Sequence, residues 1–154
     1  MSRAWYRSAA LGAAGLAAAL TCGLAATSLE AADATASQIR RGEYLAARVG
    51  LCGDCHTPMT AKGEPDAKRA MQGAPIGFRP MQPVPGWAAA APPIAGMAGW
   101  SDADALKFLQ TGLAPGGKRA APPMPWYRFS RSDAEALLAY LRSLAPAAGK
   151  PADK

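Results

Sequence analysis

Histidine is almost absent from this chain of 154 residues: the only one is His56. A histidine-rich metal site is therefore excluded. Cysteine is nearly as scarce, with Cys22, Cys52 and Cys55 the full set. A zinc site built on Cys52 and Cys55 needs two further ligands, and the only other cysteine, Cys22, sits in an alanine-rich run near the N-terminus. Runs of one charge are missing too. Beyond Arg3 and Arg7, the basic residues behind the formal charge of +6 are scattered from Arg40 to Lys154. A nucleic-acid partner is a poor fit to that pattern, which reads first as a solvated, mildly positive surface. The chain also lacks a strand-rich βαβ pattern, which removes the context of a thioredoxin-like dithiol. Its 16 glycines and 14 prolines favour long ordered loops around a few helices over a sheet protein.

What little cysteine and histidine there is stands together, as Cys52-Gly53-Asp54-Cys55-His56. This spacing is that of a c-type haem attachment site. Two thiols three positions apart can add to the two vinyl groups on one edge of a porphyrin. The next residue then lies under the ring centre, where its imidazole binds iron as the proximal ligand. With Cys52 and Cys55 used in this way, no pair remains for a structural disulfide.

The N-terminus reads as a secretory leader over residues 1–34. Arg3 and Arg7 supply a positive start, and an alanine- and leucine-rich run follows from about Ala9 to Ala26. Several small residues offer cleavage points, Ala32-Asp33-Ala34 among them. Thioether attachment of haem follows export in bacteria, so leader and motif support one another and point to the periplasm. The alternative is an uncleaved anchor, the one case in which a membrane is a partner. Processing leaves roughly 120 residues, one domain with a modest core of its own. That domain is expected over 35–146, with a flexible tail over 147–154.

Thr35-Ala36-Ser37-Gln38 has capping-box spacing and predicts the start of a first helix. Ile39, Gly42, Leu45, Ala46 and Val49 fall on one face of it, and Gly50 ends it. From Thr57 to Trp100 the many prolines exclude any long helix. A stretch this long without regular structure suits a wrap around a haem edge. Ser101-Asp102-Ala103-Asp104 predicts a second helix with Leu106, Leu109 and Leu113 near its apolar side and Gly112 as its stop. Ser130-Arg131-Ser132-Asp133 repeats the start signal. Ala134, Leu137, Leu138, Leu141 and Leu144 then form a core-facing stripe that ends before Pro146.

With no second histidine, a methionine sulfur is the expected second iron ligand. Met59 follows His56 too closely to pass to the other face of the ring. Met71, Met81 and Met97 lie in the loop region and have the reach, although ordinary core filling explains each of them. Met124 stands apart in Pro122-Pro123-Met124-Pro125, where three prolines restrict the backbone and lower the entropy lost in holding a weak thioether bond. Among the aromatics, Trp126 and Tyr127 are the better candidates for the pocket because they follow Met124, with Trp87, Trp100 and Phe129 open. Arg119 and Arg128 are candidates for pairing with haem propionates, against a simpler reading as solvated surface.

Taken in order, these residues resemble the class I c-type cytochromes, the small soluble monohaem electron carriers. Arg41-Gly42-Glu43-Tyr44-Leu45 precedes the haem motif, Pro123-Met124-Pro125 follows it, and Asp133 to Leu144 forms the last helix. The final stretch is also similar to cytochrome domains that serve exported dehydrogenases as electron-accepting subunits. The resemblance implies an all-α cytochrome c fold, three to four helices and long loops wrapped around one covalent haem c. It implies that the first and last helices cross closely, with Gly42 against Tyr140. Cys52, Cys55, His56 and Met124 become the cofactor-binding residues, with His56 and Met124 on the metal. The expected role is an electron carrier and not an enzyme, meeting redox partner proteins with acidic docking surfaces. The rival is a five-coordinate haem enzyme or sensor, in which no methionine binds and the iron takes a small ligand or reduces peroxide.

Overall fold

The computed structural model describes residue 33 and residues 35–144. The chain divides into two compact units, Met1–Ser37 and Gln38–Lys154. Of the first, Asp33 and residues 35–37 are described and all are helical. Thr35 is itself helical, so the predicted start at Thr35 falls inside helical conformation and not ahead of it. Apart from Asp33 and the residues from 35 on, the expected leader over 1–34 lies outside the described residues, as does the tail over 147–154. Among the described residues no helix is long and apolar enough to cross a membrane.

In the second unit, helix α1 runs through residues 38–44 and closes with a π-helical turn, Leu45–Val49. The wide turn is sealed by the Gly50 N–H on the Leu45 carbonyl, at 2.7 Å. Leu45 and Ala46 are buried as the helical spacing predicts, but Val49 is 52% exposed. The physical reason is the π turn, whose extra residue rotates whatever follows it off the buried face. Leu51 adopts the left-handed conformation (φ 49°, ψ 36°) and launches the short helix α2, Cys52–His56.

The proline-rich middle contains only short pieces of structure. A 3₁₀ turn, Ala67–Arg69, leads to β1, Ala74–Pro75, which pairs antiparallel with β2, Ala90–Ala91. A second 3₁₀ turn, Ala95–Met97, precedes α3, Asp102–Thr111. Both predicted caps of α3 are present: Ser101 Oγ accepts from the Asp104 N–H at 3.1 Å, and Gly112 closes the helix in the left-handed region. Helix α4, Arg131–Ser143, starts the same way, with Ser130 Oγ accepting from the Asp133 N–H. It stops at Ser143 because Leu144 is already extended.

The core is one cluster drawn from these helices and the loop between them. Leu45 and Ala46 of α1, Ala105 and Leu109 of α3, and Ala134, Leu137, Leu138 and Leu141 of α4 pack with Met71, Ala95 and Met97. Gly42 is where α1 and α4 meet. A Cβ there would lie 2.0 Å from the Ala136 carbonyl oxygen and 2.7 Å from Tyr140 Cβ. Only glycine permits that approach. The expected pairing of Gly42 with the last helix is therefore real.

The loop before α3 is fastened to α4 by Arg142. Its guanidinium donates to the carbonyls of Gly96, Met97 and Trp100 at 2.7–2.9 Å and to the Asp102 carboxylate at 2.7 Å. Arginine suits this position because its planar fork presents several donors in fixed directions.

Candidate cofactor site

The helices and loops enclose a cavity of about 380 Å³, within the range of small-molecule sites. Cys52, His56 and Met124 all line it, along with Ile94, Leu109 and Leu137. Two residues of α2 and one from the proline loop before α4, remote from them in sequence, thus face one apolar space. Cys55 is on the same turn of helix but is not part of the cavity wall; it is half-buried. Cys52 and Cys55 are both free thiols.

The Cys52 thiol and the His56 imidazole are both shifted by burial toward their neutral forms. Burial pushes the Cys52 thiol up to about 11, with the nearby Asp54 carboxylate and the Cys55 thiol acting in the same direction. A thiol so disfavoured as a thiolate is unlike the reactive member of a redox dithiol, whose pKa is lowered. His56 is buried, and that burial lowers its pKa, partly opposed by its hydrogen bond to the Pro92 carbonyl. Nδ1 lies 2.7 Å from that oxygen. A carbonyl only accepts, so Nδ1 carries the proton and Nε2 keeps its lone pair. Nε2 has no hydrogen-bond partner among the described residues. This is the arrangement of a metal-ligating histidine, whose other nitrogen is held by a backbone carbonyl to fix the ring.

Pro92 is a residue that sequence reasoning missed. Its carbonyl reaches His56 because the middle loop doubles back through the β1–β2 ribbon. Gly73 lies at that crossing, where a Cβ would meet Pro93 N at 2.8 Å and Ala91 O at 2.9 Å. The Gly73 N–H also donates to the His56 carbonyl, at 2.7 Å. The only local signal was the Pro92-Pro93 pair, which keeps this segment out of a longer ladder.

The other candidate methionines separate cleanly. Met71 is buried in the core cluster without lining the cavity, and Met81 is fully exposed. Met97 is buried and does line the cavity, so it shares the space with Met124. The aromatics divide less as expected. Tyr127 lines the cavity, stacks on Phe129 and donates its hydroxyl to the Gly50 carbonyl, tying the Met124 loop to the segment before Cys52. Trp126 is instead 49% exposed, with its Cβ against Gly112 and the Arg119 guanidinium over its ring at 4.2 Å. Trp100 and Phe108 take the place expected of it, packing edge to face on the cavity wall. Arg119 and Arg128 are both exposed, Arg128 donating to the Trp126 carbonyl.

Comparison with known proteins adds an independent line. A family model described as "Cytochrome c" matches residues 39–145. The alcohol dehydrogenase (quinone) cytochrome c subunit of Gluconacetobacter polyoxogenes is 32% identical over 123 residues, 75% of this chain and 26% of that protein. The fructose dehydrogenase cytochrome subunit of Gluconobacter japonicus is 31% identical over 112 residues, 68% of this chain and 21% of that protein. A diheme cytochrome c-type protein of Cereibacter sphaeroides is 30% identical over 113 residues, 70% of this chain and 36% of that protein. The chain thus spans about a fifth to a third of the length of these relatives.

Proposed function

We propose that this chain, which belongs to the cytochrome c family, carries single electrons between redox proteins on one covalently held haem. The carrying observation is the shared cavity, where two sequence-distant donors, His56 and Met124, face the same apolar space as Cys52. The residues fit the haem c that a cytochrome c domain implies: free thiols at the attachment spacing, a neutral imidazole with Nε2 unengaged, a thioether and an apolar wall.

In this reading Cys52 and Cys55 would anchor the group, and His56 and Met124 would hold its iron. Bound haem supplies reversible one-electron chemistry between ferric and ferrous iron. The chain's own contribution is to bind, orient and dehydrate. The Pro92 carbonyl fixes the imidazole's tautomer and plane. The cavity wall of Ile94, Leu109, Leu137 and Leu141 keeps water away and limits reorganisation around the charge that comes and goes. A thioether is a weak neutral donor, and its use favours the reduced state over what two nitrogen ligands give.

The domain is taken to be residues 35–146, exported to the periplasm behind the leader read in residues 1–34. Its partners are redox proteins. Relatives named as cytochrome subunits of alcohol and fructose dehydrogenases support a dehydrogenase-type electron donor. The test is a pair of visible spectra, oxidised and reduced, of the haem-loaded protein after denaturation-resistant attachment has been checked. Covalent haem together with the weak thioether–Fe(III) charge-transfer band is expected. A high-spin ferric spectrum without that band would replace the carrier by a small-ligand-binding or peroxide-reducing protein.

A further inference from the structure

The loop over residues 76–89 leaves β1 and returns to β2, and it carries an apolar surface that the core does not use. Met81 is 100% exposed and Phe78 54%. Phe78 meets the edge of Trp87 at 5.7 Å between ring centroids. With Val84 and Ile76 they line a surface groove of about 500 Å³. Pro80, Pro83 and Pro85 restrict the backbone, so the projecting side chains are held out in advance, which lowers the ordering cost of binding. An exposed apolar cluster of this kind marks an interaction site.

Charge and position say what it meets. Arg79 is the one charged residue of the 76–89 loop, whereas Arg69, ahead of it, is already paired with Asp66 at 2.8 Å. Arg79 lies in the groove wall and forms no ion pair among the described residues. A second copy of the chain would bring like charge to like. The groove also adjoins the cofactor cavity, since Ala88 lines both. The Ala88 N–H donates to the Pro122 carbonyl at 2.7 Å, two residues before Met124.

We infer that the 76–89 loop is the docking surface for a redox protein that presents an apolar patch ringed by carboxylates. This rests on the electron-carrier reading and names its partner's chemistry and its point of entry. An apolar centre lets the two surfaces approach without trapped water, while Arg79 in the groove wall steers the encounter toward a carboxylate. Each encounter moves one electron: the donor is oxidised, the iron held by this chain is reduced, and no bond is made or broken.

The test uses haem-loaded full chain and a reduced acidic blue-copper protein in stopped flow, with hexaammineruthenium(II) as a small reagent that needs no docking surface. Wild type should react with the copper protein at a rate that falls as salt is raised. Arg79→Glu should slow it about fivefold at low salt, the effect of two charge units about 8 Å from a carboxylate in water. Met81→Ala and Phe78→Ala should slow it without changing the salt slope. All three should leave the hexaammineruthenium rate and the visible spectrum unaltered. As a readout that needs no electron transfer, the Met81 methyl resonance should shift on adding the redox-inert zinc form of the copper protein. Unchanged rates in all three variants, a salt-independent wild-type rate, or an unmoved Met81 signal would overturn the docking inference while leaving the carrier intact. Failure of wild type to exchange electrons even with hexaammineruthenium would instead remove the carrier reading. Binding to anionic phospholipid vesicles that is lost in Met81→Ala, with protein rates unchanged, would reassign the loop to a membrane surface.

Discussion

Replacing Gly42 by alanine tests the helix crossing on which the cavity depends. The new methyl would sit 2.0 Å from the Ala136 oxygen and 2.7 Å from the Ala136 carbonyl carbon and from Tyr140 Cβ. A relaxed carbon–oxygen contact is longer by more than 1 Å, and two of the three obstacles are backbone. No side chain can swing aside, so α1 and α4 must separate. That loosens Leu45 and Ala46 against Leu137, Leu138 and Leu141. Overpacking of this kind costs about 3 kcal/mol, at the upper end of its usual range because the obstacle is rigid. Alanine's better helix propensity returns about 1 kcal/mol. The expected net loss is about 2 kcal/mol, or about 8 °C in Tm for a domain of this size. Urea unfolding of the haem-loaded protein, followed by far-UV circular dichroism, measures it. A Gly42→Ala protein as stable as wild type, or more stable by the propensity gain alone, would refute the close crossing.

Other outcomes follow from the site and its supports. Met124→Ala should abolish the thioether–Fe(III) charge-transfer band and lower the reduction potential, whereas Met97→Ala should retain the band; the reverse result would move the distal ligand to Met97. Arg142→Ala breaks bonds to three carbonyls and to Asp102 and should cost about 2 kcal/mol in urea unfolding, with Arg142→Lys recovering only part because it lacks the fork. Burial raises the Tyr127 pKa from 10.0 to about 12, so the fold holds its proton more tightly than the unfolded chain does. Its contribution to stability is full below pH 10 and is lost as pH rises to about 12. Tyr127→Phe should therefore show a shallower alkaline fall in unfolding midpoint than wild type between those pH values.

Much of this molecule is readable along the chain because its chemistry is local. Attachment of a porphyrin needs two thiols and an imidazole at fixed short spacing, and Cys52, Cys55 and His56 have it. Ser101 and Ser130 announce α3 and α4 because a cap is satisfied within three residues, and the leucine stripe of α4 repeats within one helix. Gly42 and Tyr140 could be paired before folding only through resemblance, since nothing within either helix says what lies across from it.

The rest waited for the tertiary structure because it depends on how segments far apart return to one another. Which carbonyl holds His56 was decided by the path of the proline-rich loop, which brings Pro92 to Nδ1 through a two-residue ribbon that no hydrophobic pattern announces. The exposure of Val49 was decided by a single π turn, an insertion of one residue's width that periodicity cannot register. Proximity to Met124 favoured Trp126 for the pocket, but Trp126 closes against Gly112 and Arg119 while Trp100 takes the wall. Met71, Met81 and Met97 were equivalent as letters and became core, surface and cavity wall. Sequence by itself determined which groups could do the chemistry, because reactivity and spacing are properties of neighbours along the chain. Only the fold decided which of them share a space, because burial and facing are set by contacts between residues that the chain keeps far apart.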